Sequence, residues 1–316
     1  MITIDIAKVK NALINDEIVA IPTETVYGLA GNIYSEIAIK KIFNAKKRPL
    51  FNPLIVHIKS AEYLEKIAHN IPEIAWKLAA SFWPGPLTMV LNKQDHISYL
   101  ITAGKRTVAV RVPNHKLTLE LLNEIEFPIA APSANIFKTL SPTSAKHVFG
   151  AFGNEILILD GDECKIGLES TIIGFEEDIP ILYRLGAITI EEIESITGKI
   201  KIAAAQNHAP EAPGMLSQHY SPRTKMILTT DMQSEIAKFK NKKIGVLSFK
   251  SENQKNQVIK IETLSKTGNL KEAASNFYHA LHSLDSSDLD LIIAEKLPNE
   301  GLGKTLNDRL IRAIYK

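Results

Sequence analysis

The spacing of hydrophobic residues along the first 202 residues predicts alternating helices and strands. Ile6, Val9 and Leu13 recur at helical spacing, so residues 5–16 are predicted to form a helix. Short apolar runs predict strands at residues 17–22, 53–58, 87–91, 107–113, 128–135, 156–160, 170–175 and 180–186. Further helices are predicted at residues 35–46, 60–69, 72–82, 115–124, 143–149 and 189–198, and a loop is expected after the first strand. Residues 1–202 are therefore predicted to form a mixed α/β domain.

The pattern changes after residue 202. The stretch "AAAQNHAPEAPGMLSQHYSPR" contains three prolines and no regular apolar spacing, so residues 203–224 are predicted to be a linker. A second alternating pattern occupies residues 225–316. Its strands are predicted at residues 225–230, 243–249 and 289–297, and its helices at residues 270–284 and 304–315. This alternation predicts a smaller Rossmann-like α/β domain with a mostly parallel sheet.

Composition narrows the class of protein without identifying it. The chain has 316 residues, 45% of them hydrophobic, and a net charge of +2, so any anion-binding site must be local. A single cysteine, Cys164, excludes an internal disulfide framework and suits a reducing compartment. No apolar run approaches the roughly 20 residues that span a bilayer, and the amphipathic N-terminus does not resemble a signal peptide. We therefore expect a cytoplasmic protein with no membrane contact.

Basic residues gather where helix 35–46 ends. Lys46, Lys47 and Arg48 stand directly before Pro49 in "NAKKRPLFNPLIVHI", and Asn52 and His57 follow. A solvated basic helix end would explain the cations alone, because the helix dipole favours positive charge there. Several polar groups converging after one turn are equally typical of a ligand site.

Two arginines occur within otherwise apolar strands. Arg111 lies in "TVAVRVP" and Arg184 in "PILYRLG", and neither has an acidic residue nearby in the sequence. A buried guanidinium needs an anion, because an unpaired buried charge is very costly. A structural ion pair is one possibility, but a carboxylate or phosphate ligand is favoured, since the guanidinium fork suits both.

Hydroxyl and amide groups lie at the borders of several predicted strands. They are Thr25, Ser133, Asn135, Ser141 and Ser170. Hydroxyl-rich turns and helix caps would account for some of them. No Ser-His-Asp pattern and no Cys/His metal motif stands out in the sequence, so the expected chemistry is the binding and orientation of anions.

The segment "GLGKT" at residues 301–305 resembles part of a phosphate-binding loop. The full motif requires a glycine five residues before Gly303, where Pro298 stands. The segment is therefore interpreted as a tight strand-to-helix turn.

Several segments of the chain, taken together, resemble the YrdC-like family, specifically the long-form threonylcarbamoyl-AMP synthases. The resemblance rests on "PTETVYGLAG", "KKRPLFNPLIVHI", "FWPGPLT", "VAVRVP", "APSAN", "SPTSA" and "LESTI", in this order, and on the linker "APGMLSQHYSP". It implies a YrdC-like twisted mixed sheet with helices. The implied reaction converts L-threonine, bicarbonate and ATP to threonylcarbamoyl-AMP and pyrophosphate, for the later threonylcarbamoyl (t6A) modification of tRNA.

The same resemblance implies roles for particular residues. Its catalytic signature corresponds to Lys46, Arg48, Ser133 and Asn135. The implied L-threonine ligands are Thr25, His57, Arg111, Ala131 and Ser170. The implied ATP ligands are Arg48, Asn52, Thr107, Ser133, Ser141, Arg184 and Tyr220. Mg²⁺ is expected on the ATP phosphates without a dedicated protein site, and the linker is a candidate lid.

Two other functions fit part of these features. One is a carbamoyl-adenylate enzyme acting on carbamoyl phosphate, as in hydrogenase maturation proteins, but the zinc-finger CxxC pairs of those proteins are absent here. The other is an RNA-binding module, which the low net charge and the absence of an Arg-rich tract disfavour. Direct tRNA contact is accordingly expected to be weak or indirect, with the t6A transfer machinery acting downstream.

Overall fold

A computed structural model describes residues 1–203, 212–215, 219–250 and 258–314. Its helices are α1 (Ile6–Ile14), α2 (Glu36–Lys46), α3 (Glu73–Phe82), α4 (Tyr99–Thr102), α5 (Lys116–Glu124), α6 (Ala145–Phe152), α7 (Ile190–Thr197), α8 (Met232–Ala237), α9 (Leu270–Asp285) and α10 (Leu302–Ile314), with a 3-10 helix at Ala61–Lys66. Its strands are β1 (Ile2–Thr3), β2 (Val19–Ile21), β3 (Gly28–Asn32), β4 (Ile55–His57), β5 (Leu87–Asn92), β6 (Thr107–Arg111), β7 (Ile129–Ala130), β8 (Leu157–Leu159), β9 (Thr171–Glu176), β10 (Ile179–Arg184), β11 (Lys201–Ile202), β12 (Met226–Thr229), β13 (Ile244–Ser248), β14 (Val258–Thr263) and β15 (Leu291–Glu295).

The first domain is built on one large mixed sheet. Within the described residues, eleven strands are ordered β1-β8-β2-β3-β7-β4-β6-β5-β9-β10-β11. Strand β4 is parallel to β6 and antiparallel to β7, so both orientations meet at the centre of the sheet. The register of β4 and β6 places His57 beside Arg111 at the carboxyl ends of these two strands. The predicted mixed α/β domain is confirmed.

The second sheet is smaller. Its four described strands are ordered β12-β15-β13-β14, and every neighbouring pair is parallel. Helices α9 and α10 bury apolar faces against it, including Phe277, Leu281 and Leu306. The predicted parallel Rossmann-like domain is confirmed.

The two domains share a hydrophobic cluster. Val26 and Leu168 of the first domain pack in the same cluster as Phe277 and Leu306 of the second. Val26 belongs to the loop after β2, and Leu168 precedes β9. The second domain therefore packs directly behind two loops that carry predicted site residues.

Several predicted elements differ in detail from the observed ones. The loop expected after the first strand contains β3, which pairs with both β2 and β7. The sequence of β3, "GLAGN", is rich in small residues that have low strand propensity, so tertiary pairing decides its conformation. The helix predicted at residues 60–69 is a 3-10 helix over Ala61–Lys66.

The predicted linker is only partly described. Residues 204–211 and 216–218 lie outside the described residues, as does residue 315 of the last predicted helix. The described linker residues Ala212–Met215 and His219–Tyr220 are buried. Within "GLGKT" only Gly301, with a φ of 45°, lies in the turn before α10. The interpretation as a turn is wrong for the other four residues, which form the start of α10.

None of the described helices is long and apolar enough to cross a membrane.

Candidate active site

A cavity opens where the carboxyl ends of the central strands meet. Its empty volume is about 580 Å³. Nine predicted site residues line it: Thr25, Arg48, His57, Arg111, Ala131, Ser133, Ser170, Arg184 and Tyr220. Residues that are far apart in the sequence thus converge on one cavity, as expected for ligands bound at the strand ends of an α/β sheet.

One group of polar residues surrounds Arg111, and we call Thr23, Glu24, Thr25, His57 and Arg111 the Arg111 cluster. The Arg111 guanidinium forms a salt bridge of 2.6 Å with Glu24 Oε1, and both side chains are buried. It also donates to Thr25 Oγ1 at 3.0 Å. The other Glu24 oxygen accepts from the backbone N–H of Asn114 at 3.0 Å.

Arg111 therefore has an acidic partner within the protein, although none lies near it in the sequence. Glu24 lies 87 positions away in the sequence, and only the packing of the β2–β3 loop against β6 brings it close. The structural ion pair, which was the less favoured alternative, is present. It holds the guanidinium in place at the cavity wall, where Nη1 supports the Thr25 hydroxyl.

His57 is a neutral member of this cluster. Burial, together with the positive charge of Arg111, lowers its pKa to about 3. The ring Nδ1 lies 3.3 Å from the carbonyl oxygen of Ile55, which suits an Nδ1–H donor and leaves Nε2 as an acceptor. A neutral imidazole can accept a hydrogen bond from a ligand in this position.

A second group contains three cations that form no salt bridge within the part of the chain that the structure describes. We call Lys46, Arg48, Ser133, Arg184 and Tyr220 the Arg48 cluster. Arg48 donates to Asn52 Oδ1 at 2.6 Å and to the Pro53 carbonyl at 2.7 Å. Lys46 Nζ donates to the carbonyls of Ser133 and Asn135, the latter at 2.6 Å.

Arg184 completes the set of three buried cations. It donates to the Ser170 carbonyl at 2.8 Å and to the Pro213 carbonyl in the linker at 3.2 Å. Among the described residues, no carboxylate forms a salt bridge with Lys46, Arg48 or Arg184. Burial lowers the pKa of Lys46 well below its ordinary value, and the charge of Arg48 lowers it further. Burial therefore disfavours the charged forms of these side chains, and a bound anion would stabilise them.

Tyr220 brings the linker into the same cluster. Its side chain is 1% exposed and its hydroxyl has no hydrogen-bond partner among the described residues. Its backbone has a φ of 63°, which is uncommon for a bulky residue. A buried hydroxyl at the cavity wall without a partner suits a polar ligand atom.

Five predicted site residues do not line the cavity, and four of these form hydrogen bonds with residues that do. Lys46 and Asn135 bond to Ser133, whose hydroxyl donates to Asn135 Oδ1 at 2.6 Å. Asn52 accepts from Arg48, and Ser141 donates to Glu169 at 2.6 Å. The fifth, Thr107, begins β6 at the end of the strand remote from Arg111.

Sequence reasoning missed Glu169 and Arg309. Glu169 lines the cavity, and Arg309 on α10 donates to it at 2.9 Å. A signal for Arg309 was available, because it lies on the buried face of α10 with Leu302, Leu306 and Leu310. A cation at an apolar position of an amphipathic helix predicts a buried partner.

Family models match both domains of the chain. The model described as "Telomere recombination" matches residues 11–186. The model described as "Threonylcarbamoyl-AMP synthase, C-terminal domain" matches residues 188–314. The chain belongs to the threonylcarbamoyl-AMP synthase family.

Individual relatives agree with this membership. The chain is 44% identical to the threonylcarbamoyl-AMP synthase of Pyrococcus abyssi over 312 residues, which covers 94% of this chain and 90% of that one. It is 40% identical to the threonylcarbamoyl-AMP synthase of Bacillus subtilis over 319 residues, with 98% and 92% covered. A crystal structure of Pyrococcus abyssi Sua5 complexed with L-threonine superposes with a TM-score of 0.92 at 42% identity and covers 98% of this chain and 94% of that one. Threonylcarbamoyl-AMP synthesis is accordingly the activity of this chain.

Proposed function

We propose that the two clusters divide the substrates of threonylcarbamoyl-AMP synthesis between them. The Arg111 cluster binds L-threonine, and the Arg48 cluster binds the phosphates of ATP. The observation that supports this division is the difference in ion pairing: Arg111 forms a salt bridge with Glu24, whereas Lys46, Arg48 and Arg184 form no salt bridge with a carboxylate among the described residues.

The Arg111 cluster suits an amino acid with a hydroxyl side chain. Arg111 is fixed beside Thr25 and presents a guanidinium to a carboxylate. Thr25, His57 and Ser170 supply small polar groups for the amine and hydroxyl, and Ala131 contributes a backbone group at the cavity wall. The similar Pyrococcus abyssi Sua5, which has been crystallised with L-threonine, supports this choice of ligand.

The Arg48 cluster suits a polyphosphate. Guanidinium groups bind phosphate oxygens in bidentate fashion, and Lys46 adds a point charge beside Ser133. Asn52 orients Arg48, and Ser141 orients the carboxylate of Glu169. Thr107 remains a predicted ATP ligand.

Mg²⁺ is proposed to enter with the nucleotide. The described residues offer no group of three His, Cys, Asp or Glu side chains placed to hold a metal ion. Mg²⁺ commonly binds through substrate phosphates and water, so the cations of the Arg48 cluster and the ion would share the phosphate charge.

The reaction then requires the protein to position the substrates, and no covalent bond between protein and substrate is needed. The threonine amine and bicarbonate form a carbamate with loss of water. A carbamate oxygen attacks the α-phosphorus of ATP, the bond between the α-phosphorus and the bridging oxygen breaks, and pyrophosphate leaves. Holding the two substrates in line and neutralising the departing charge can supply most of the rate.

The linker is proposed to act as a lid. Pro213 accepts from Arg184, and Tyr220 lines the cavity, so linker residues already form part of the wall. A closed wall would exclude water from a labile adenylate. The product would pass to the t6A transfer machinery, so that contact with tRNA is indirect or weak.

Pyrophosphate release tests this function. Purified protein is supplied with ATP, bicarbonate and Mg²⁺, with and without L-threonine, and the product is identified by mass. We expect pyrophosphate and threonylcarbamoyl-AMP only when threonine is present. Threonine-independent release, or no release beside tight tRNA binding, would overturn the proposal.

A further inference from the structure

The most deeply buried charge in the second domain lies at the border with the first. Arg309 on α10 is 0% exposed, although it stands in a helix whose neighbours Asp308 and Arg312 reach partly exposed positions. Complete burial of an arginine is costly, so its contacts must compensate for the lost hydration. Those contacts indicate what the residue does.

Arg309 is bonded mainly to the first domain. Its Nε donates to Glu169 Oε2 at 2.9 Å, and its Nη2 donates to the Leu185 carbonyl at 2.6 Å. Only Nη1, which donates to Asp308 at 2.5 Å, has a partner within its own domain. The guanidinium thus reaches across the domain border to residues that flank β9 and β10.

Glu169 is the residue through which Arg309 reaches the cavity. One carboxylate oxygen accepts from Arg309, and the other accepts from Ser141 at 2.6 Å and from Tyr278 on α9 at 2.7 Å. Burial alone would raise the pKa of Glu169, but the charges of Arg309 and Arg184 and these hydrogen bonds hold it below its ordinary value. Glu169 is therefore a fixed anion in the wall of the cavity.

Tyr220 is the second residue that Arg309 supports. The guanidinium carbon lies 4.6 Å from the centroid of the Tyr220 ring, within the range of a cation–π contact. The Tyr220 backbone is in the left-handed region, a conformation that persists only when its surroundings hold it. Arg309 therefore contributes to the placement of the linker at the cavity.

We infer that Arg309 is a positioning residue for the nucleotide: through Glu169 and Tyr220 it sets the wall of the Arg48 cluster, and it thereby gives the second domain a part in the reaction. The inference rests on the proposed binding of ATP by that cluster. Among the described residues, none of these contacts of Arg309 involves the Arg111 cluster, so we expect Arg309 to affect ATP binding more than threonine binding.

If Arg309 only joined the two domains, its contacts with the cavity residues Glu169 and Tyr220 would have no explanation. Replacing a buried ion pair with apolar residues of similar volume is often neutral or stabilising, so stability alone does not require charges here. The Lys304–Glu191 salt bridge, of 2.6 Å, also joins α10 to the first domain, but it is partly exposed and neither residue lines the cavity. That pair provides the matched control.

The test compares Arg309→Lys with Lys304→Met. Lysine keeps a positive charge beside Glu169 but lacks the planar fork that reaches Glu169, Leu185 and Tyr220 together. We expect R309K to lower kcat/KM for ATP on the order of 10²-fold and to weaken ATP binding measured by calorimetry, with threonine affinity unchanged. K304M should match the wild type in all three measurements.

A second variant covers a failure to fold. E169Q/R309M removes both charges of the pair, which avoids an unpaired buried ion, and circular dichroism checks its fold. It should show the same selective loss toward ATP. Wild-type kcat/KM and affinity for ATP in folded R309K or in folded E169Q/R309M would overturn the inference, as would equal losses toward ATP and threonine.

The two proposals fail in different ways. If the wild type binds ATP but releases no threonine-dependent pyrophosphate, the proposed function fails, and ATP affinity in R309K still decides the role of Arg309. If the wild type is active and R309K equals it, only the role of Arg309 fails.

Discussion

The two clusters of the cavity use the same residue type in opposite ways. Arg111 faces a buried carboxylate at 2.6 Å, so its cluster is close to neutral. Arg48 and Arg184 donate to amide and carbonyl oxygens, which orient the guanidinium groups without cancelling their charge. A near-neutral cluster suits a zwitterionic amino acid, and a cluster with excess positive charge suits a polyphosphate. The type of group that a buried arginine contacts within the protein, carboxylate or carbonyl, thus indicates which ligand the arginine binds.

The largest effect is expected at Arg48. Replacing it with alanine removes a guanidinium from the Arg48 cluster, and arginines that neutralise transferring phosphates are worth roughly 10³-fold or more in rate. We therefore expect Arg48→Ala to abolish threonine-dependent pyrophosphate release. The measurement is single-turnover pyrophosphate release at saturating threonine.

Lys47 provides the matched control for Arg48. It is the adjacent basic residue, is exposed, and has a φ of 51° that asparagine tolerates. Lys47→Asn should retain activity. Near-normal turnover in R48A, or equal losses in both variants, would remove the distinction between the two clusters.

A smaller and selective effect is expected at Glu24. Glu24→Gln keeps the shape of the side chain but leaves Arg111 without its carboxylate partner. Arg111 is then held less firmly beside Thr25, so KM for threonine should rise about 10- to 100-fold, as for a misplacement at a binding group. KM for ATP should stay unchanged, and steady-state kinetics with each substrate varied in turn measures both. A rise confined to ATP would reverse the assignment of the clusters.

These two residues also show where sequence reasoning succeeded and where it stopped. Local patterns located Arg48, Thr25 and Ser170, because each lies at the end or the beginning of a strand or helix that the sequence pattern predicts. The Arg111–Glu24 pair was missed because the two residues meet only through tertiary packing of distant segments. Local spacing carries no information about such partners.

The same limit applies to the folding of the chain. Strand β3 has a sequence that favours a loop, and its neighbours β2 and β7 decide its conformation. Arg309 reaches Glu169 from a domain that begins beyond the linker. A helix can be predicted from its periodicity, but the domain face against which it packs cannot.

Lowering the pH should destabilise the folded protein through His57, a member of the Arg111 cluster. Its pKa is about 3 in the folded protein, below the ordinary value of 6.5, so both states are neutral above pH 6.5. Below that pH the unfolded chain binds a proton that the folded protein does not, and the free energy of unfolding falls. At pH 5 the loss from this one group is about 2 kcal/mol.

Urea unfolding of the wild type and His57→Gln at pH 7 and pH 5 measures this difference. The wild type should lose about 2 kcal/mol more than the variant on acidification. His147 and His219, whose pKa values are also lowered by burial, contribute equally to both proteins. Parallel losses would show that His57 is not held neutral by the Arg111 cluster.

The smallest effect is expected at Tyr27, two residues beyond Thr25. Its ring is buried, and its hydroxyl donates to the Asp162 carbonyl at 2.8 Å and accepts from the backbone N–H of Gly161 at 3.1 Å, away from the cavity. Tyr27→Phe keeps the packing and loses these bonds, so the free energy of unfolding should fall by about 1 kcal/mol. KM for threonine should not change, because Thr25 keeps its bonds to Thr23 and Arg111. Urea unfolding together with threonine kinetics tests this, and a raised KM for threonine at unchanged stability would extend the Arg111 cluster to Tyr27.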